Sequence, residues 1–234
     1  MKVLKGTSGP AVRDLSPSVE DYLKTIYHLS EGGDSATTTG IAERLDLTPA
    51  AVTGMVKKLA ESGHLEHEPY HGVRLTAAGR HAALAVVRRH RLIETYLITK
   101  LGYDWASVHE EAEHLEHAAS DDLIARMAEA LGDPRYDPHG SPIPTVDGRI
   151  EDVPTLRLDA VPVGRRVRIA LVDGAEPARL RYLEELGLVP GVPVTVTERG
   201  PFGGPITLRV EKKGGGSRVI GPDLAATVRV VAGG

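Results

Sequence analysis

The residues best equipped for chemistry lie between positions 90 and 117. The segment HEEAEHLEH runs from His109 to His117. Residues three and four apart share a helix face. Glu113, Glu116 and His117 therefore point together, and His109 sits one turn before Glu113. His90 and Glu94, upstream, are also spaced i, i+4. Carboxylate and imidazole at helical spacing suit a divalent ion of borderline hardness. The chain has no cysteine, so any metal must be held by oxygen and imidazole, and disulfides are impossible. From Asp104 to Asp133 nine acidic residues stand against one Arg, Arg126. A solvated helical face accounts for any one of these acids. The interleaved His109, His114 and His117 make the set a candidate cation site.

Enzymatic metal motifs fit poorly. The zinc-protease pattern HExxH fails because position 113 is Glu. ExxH occurs once in this segment, from Glu111 to His114, whereas ferritin-like di-iron sites need two such motifs and two further Glu-bearing helices. There is no phosphate-binding loop, no GxSxG and no Cys nucleophile.

A second chemistry lies upstream. Residues 17–31 read as a helix with Val19, Leu23 and Ile26 inward, Pro17 in the first turn and Gly32-Gly33 as its stop. Residues 38–46 form a short helix with Ile41 and Leu45 inward. Thr48-Pro49 caps a third helix whose stripe is Val52, Met55, Val56 and Leu59, ended by Gly63. Two short strands come next, around His71-Gly72. This order is a winged helix-turn-helix, which sets its second helix in the major groove. Thr48, Pro49, Ala50, Ala51, Thr53 and Gly54 open that helix and form the groove side. Arg44, Lys57, Lys58 and Arg74 would reach phosphates, which supply affinity rather than sequence. Small side chains favour thymine-methyl contacts and shape readout over bidentate bonds to bases. A net charge of -4 argues against a constitutive nucleic-acid binder.

Thr76 caps a long helix to about Leu101; helices from Asp104 to about Ala118 and from Ser120 to Leu131 succeed it. Residues 133–154 carry five prolines and read as an extended linker, so the C-terminal segment beyond them should be dispensable for fold and dimerisation. After Leu156 the pattern alternates in RRVRIALV, VPVTVTE, PITLRVE and TVRVV, with one short helix in ARLRYLEELG, and predicts a small β-barrel. No run approaches the ~18 apolar residues of a membrane span. The opening MKVLKGTSGP has no apolar core behind its Lys, so a cytoplasmic location is expected.

SVEDYLKTIYHL, the helix-turn-helix, RRHRLIETYL, VHEEAEHLEH and DPHGSPIP together resemble the diphtheria-toxin-repressor family of metalloregulators, in order over nearly the whole chain. The resemblance implies a mainly α fold with β. Its parts are an N-terminal winged helix-turn-helix over 1–75, an all-helical metal-binding and dimerisation domain over 76–150, and a small SH3-like β-barrel of the ferrous-transport-protein-A kind over 151–234. It also implies a homodimer built on the helices after residue 104, a palindromic double-stranded DNA operator, and no enzymatic activity. The implied primary metal site is Asp21 with Glu113, Glu116 and His117. The implied second site is His90, Glu94 and His109, completed by a barrel acid, Glu176 or alternatively Asp173.

Iron-sensing relatives of this kind carry Met where Asp21 stands and Cys where Glu113 stands. The all-oxygen choice resembles the manganese branch, so Mn(II) is the expected ion and Fe(II) the alternative, with two metal sites per chain. That branch usually has a Glu where Lys24 stands, and a cation there should hold the primary site to one ion. An ion bonded to Asp21 and to the dimer domain would fix the recognition helices at the ~34 Å of successive major-groove faces. The rival readings are a metalloenzyme, which would turn over substrate, and a metal-buffering protein, which would not bind DNA.

Overall fold

The computed structural model describes residues 15–31, 35–68, 72–173, 176–211 and 214–233. The opening MKVLKGTSGP, the Gly32-Gly33 stop, His71 and the two lysines of KKGGGS fall outside them. Contacts divide the chain into two units: residues 1–89 with 144–149, and residues 90–143 with 150–234.

The first unit begins with α1 (Pro17–Leu29), α2 (Thr38–Leu45) and α3 (Pro49–Glu61). Thr37 Oγ1 caps α2 by accepting from Gly40 N at 3.0 Å, and Thr48 Oγ1 caps α3 by accepting from Ala51 N at 3.3 Å. Asp46 turns the chain between them in the left-handed region, at φ 53°. Val19, Leu23, Ile26, Ile41, Val52, Val56 and Leu59 are buried and bring the three helices together. The hairpin of β1 (Leu65–Glu68) and β2 (Gly72–Leu75) pairs Leu65 with Leu75 and Glu66 with Arg74. Thr76 ties this wing to α4 (Ala77–Leu101): its hydroxyl donates to Gly63 O at 2.7 Å and accepts from Gly79 N at 3.1 Å. Glu20 of α1 and Arg89 of α4 form a buried ion pair.

In the second unit the end of α4 packs with α5 (Val108–Glu116) and α6 (Asp121–Leu131) around Leu92, Ile93, Leu97, Val108, Ala112, Ile124 and Ala128. Helix α5 starts at Val108, four residues later than expected, because Asp104 Oδ1 accepts from Ala106 N at 3.0 Å and turns the chain. That turn delivers Trp105 and Ala106 to the core of the β domain.

The β domain has β3 (Leu156–Arg157), β4 (Arg166–Val172), α7 (Pro177–Leu186), β5 (Pro193–Arg199), β6 (Ile206–Val210), β7 (Gly216–Ile220), α8 (Pro222–Ala226) and β8 (Val228–Ala232). Its antiparallel sheet runs β3-β8-β4-β5-β6-β7, and no ladder joins β3 to β7 among the described residues. The mixed fold class expected from sequence is present; the α8 turn was not foreseen.

The proline-rich segment is not a free tether. Asp137 Oδ1 accepts from His139 N and Ser141 N at 2.8 and 2.9 Å, which closes a tight loop. Arg91 donates to Pro142 O at 2.6 Å, and Arg88 donates to Pro144 O at 2.7 Å. Val172 N of β4 donates to His139 O at 2.9 Å. Gly140, at φ 91°, lies so close to β4 that a β-carbon there would stand 2.0 Å from Ala170 O. The β domain is therefore packed on this loop and on Trp105, where an extended linker was expected to separate it from the helices.

Candidate metal centre and nucleic-acid face

His90 stands at the centre of the ionisable cluster. It is buried on α4, and its two ring nitrogens face different groups. Nδ1 lies 2.6 Å from Glu116 Oε2 and 3.8 Å from Glu113 Oε1. Nε2 lies 3.1 Å from Glu94 Oε1 and 2.9 Å from His109 Nδ1. Glu94 Oε1 is also 3.2 Å from His109 Nδ1. Three donor atoms thus form a triangle with edges of 2.9, 3.1 and 3.2 Å. Ligands at right angles around an ion with bonds of about 2.1 Å stand about 3 Å apart, so the spacing fits a divalent metal. The donor chemistry fits as well, being only imidazole and carboxylate.

The structure brings His90, Glu94 and His109 together, with Glu113 3.4 Å from His109. Glu116 is fully buried and lies 3.6 Å from His117 Nε2. Asp21 sits half-buried on α1 in the first unit. Glu176 and Asp173 are exposed, the former 2.7 Å from Arg179 and the latter 3.9 Å from Arg229.

A third set escaped the sequence reading: Glu94, Asp137 and His139, all buried, offer ligand atoms close enough to share an ion. His139 Nε2 lies 2.9 Å from Trp105 O, a group that can only accept, so Nε2 carries the proton and Nδ1 faces Glu94 Oε2 at 3.8 Å. The signal was the Asp-Pro-His-Gly run in the loop, which spacing rules for helices do not weigh.

Burial pushes the pKa of Glu94 up, but hydrogen bonds from His109 and His90, with the charges of His90 and His139, outweigh it and hold the carboxyl well below the usual range. Asp137 is pushed up by burial and by the charge of Glu94, against Arg91 and His139. One acid of this pair is thus held ionised while its neighbour resists ionisation.

The ten residues singled out for DNA are all exposed: Arg44, Thr48, Pro49, Ala50, Ala51, Thr53, Gly54, Lys57, Lys58 and Arg74. Thr53 Oγ1 donates to Pro49 O at 2.8 Å, and Arg74 Nε donates to Ser35 Oγ at 2.9 Å.

A winged helix joined to a helical module with a cluster of buried imidazole and carboxylate groups defines a metal-dependent transcriptional repressor. The iron dependent repressor N-terminal DNA binding domain matches residues 14–73. The iron dependent repressor metal binding and dimerisation domain matches residues 76–145, and the FeoA domain matches 156–232. The chain belongs to the iron-dependent repressor family, whose members bind DNA, dimerise and depend on metal.

It is 34% identical over 205 residues to the iron-dependent repressor IdeR of Mycobacterium tuberculosis, covering 82% of this chain and 89% of that one. It is 33% identical over 179 residues to the diphtheria toxin repressor of Corynebacterium jeikeium, covering 74% and 75%. A manganese-dependent transcriptional repressor in complex with manganese superposes with TM-score 0.85 at 40% identity, over 92% of this chain and 99% of that one. Among the described residues no helix is long and apolar enough to cross a membrane.

Proposed function

We propose that the chain is a cytoplasmic repressor of metal-homeostasis genes that grips a palindromic operator when Mn(II) is bound. The observation that carries this reading is the donor set around His90: imidazole and carboxylate alone, with His90, Glu94 and Glu116 buried and His90 presenting one nitrogen to each of two acidic groups. When bound, the ion supplies positive charge that neutralises these acids. The primary site is Asp21, Glu113, Glu116 and His117. The second is His90, Glu94 and His109, with Asp137 and His139 better situated to extend it than Glu176 or Asp173, which stand beside arginines.

Asp21 belongs to the DNA-reading unit and the other primary ligands to the dimerisation unit. Only the active arrangement brings all four carboxylate and imidazole groups to one point, which gives the differential affinity a switch requires. Lys24, buried one turn after Asp21, holds this site to one ion. Lys24→Glu should add one ion per chain by calorimetry. The iron(II) reading draws on the names of the curated relatives, iron-dependent repressors.

The decisive experiment is an anisotropy titration of a labelled operator fragment with manganese, iron(II), zinc or chelator. A large loss of affinity on chelation is expected. Equal affinity with chelator would refute the switch, and turnover without operator binding would favour a metalloenzyme.

A further inference from the structure

Three glycines sit inside helices among the described residues: Gly40 in α2, Gly54 in α3 and Gly79 in α4. A β-carbon on Gly79 would stand 2.0 Å from His64 O, and one on Gly40 would stand 3.2 Å from Thr37 Oγ1. Packing accounts for both. A β-carbon on Gly54 would meet nothing within 4 Å. Nor does the backbone there need glycine, for its φ is not positive. Glycine in a helix interior is less favourable than alanine, because it gives up more backbone freedom on folding. Within the chain alone, alanine would serve better at this position.

We infer that Gly54 is a specificity-determining position of the recognition helix: its bare backbone admits a major-groove base edge to a distance that any side chain would occupy. The inference rests on the DNA-binding reading and on α3 as the helix that enters the groove. Ala50 and Ala51 lie one turn before Gly54, and Lys57 and Lys58 one turn after, all exposed. The two hydroxyls nearby are turned inward, Thr53 onto Pro49 O and Thr48 onto Ala51 N. The face around Gly54 is thus methyl groups and main chain, with ammonium groups beyond. Such a face discriminates by close fit rather than by hydrogen bonds, and close fit is what added volume destroys.

The test uses the full chain loaded with manganese, or with iron(II), to select a duplex from a random-sequence library. Wild type, Gly54→Ala and Gly54→Gln are then titrated against that duplex and a shuffled one, with thermal unfolding measured in parallel. Gly54→Ala should raise the unfolding midpoint by about 2–4 °C. It should weaken the selected duplex about tenfold, the scale of one mismatched base pair. Gly54→Gln should weaken it further. The shuffled duplex should be bound unchanged, because the lysine–phosphate contacts persist. Equal affinity of Gly54→Ala and wild type for the selected duplex would overturn the inference. A lowered midpoint would also overturn it, since the need for glycine would then lie inside the fold. If the wild type enriches no duplex with either metal, the functional reading itself fails and the inference falls with it.

Discussion

His90 Nε2 and His109 Nδ1 stand 2.9 Å apart, and the same Glu94 oxygen lies within 3.2 Å of both. Two imidazole nitrogens at that separation share either one proton or one ion. The other nitrogen of His90 is committed to Glu116 at 2.6 Å. One side chain therefore belongs to two clusters.

On the proposed two-site arrangement, His90→Ala should for that reason weaken both metal-binding events, whereas His109→Ala should weaken one. The expected loss for the affected events is more than about a hundredfold, the upper end for removing even an outer-shell partner. Calorimetric titration with manganese measures it. Two unperturbed events in His90→Ala would show that the clusters are independent.

Metal choice should depend on the first ligands. Raw affinity rises from manganese toward copper and zinc, so selectivity must come from geometry. Zinc prefers four ligands and would bind without needing Asp21, so it should activate less than manganese. Asp21→Met with Glu113→Cys should move activation toward iron(II), cobalt or nickel. Operator binding at saturating levels of each metal checks this; an unchanged ranking in the double variant would exclude oxygen content as the determinant.

The pair of Glu20 with Arg89 is buried on both sides, Glu20 at 5% and Arg89 at 8% exposure. Arg89→Met should cost about 3 kcal/mol, because it leaves the Glu20 carboxylate buried without its cation. Adding Glu20→Leu should restore most of the loss, since an apolar pair needs no compensation. Urea unfolding of the single and double variants gives the comparison. A double variant as unstable as Arg89→Met alone would contradict the account.

A chain ending at Arg149 would uncover Trp105 and Ala106, which pack into the β-domain core, and would strip β4 from the His139 loop. Broadened thermal unfolding and aggregation by light scattering are expected. A folded, soluble dimer of that length would return the proline-rich segment to the role of a simple linker.

Much of this architecture is legible in the chain because helical periodicity and caps are local. The stripes of α1 and α3 and the Thr48 cap appear where the residues indicate. The proline-rich segment misleads because its order comes from Arg88 and Arg91, more than fifty residues away. The grouping of His90 with Glu94 comes from spacing on one helix. Asp137 and His139 are not reached that way, since their place beside Glu94 depends on a loop closed by Asp137 itself. The start of α5 is misjudged because the Asp104 side chain competes with the backbone for Ala106 N.

Trp105 is the only tryptophan in the chain, and its ring lies 4.9 Å from that of His139, tilted by 34°. The molecule thus carries its own optical probe, set against one corner of the ionisable cluster. An indole beside an imidazole is quenched when the imidazole is positively charged, and a paramagnetic ion nearby deepens the effect. Emission excited at the indole band should therefore separate manganese from diamagnetic zinc at equal occupancy. It would report loading of the loop in unlabelled protein, without any DNA present.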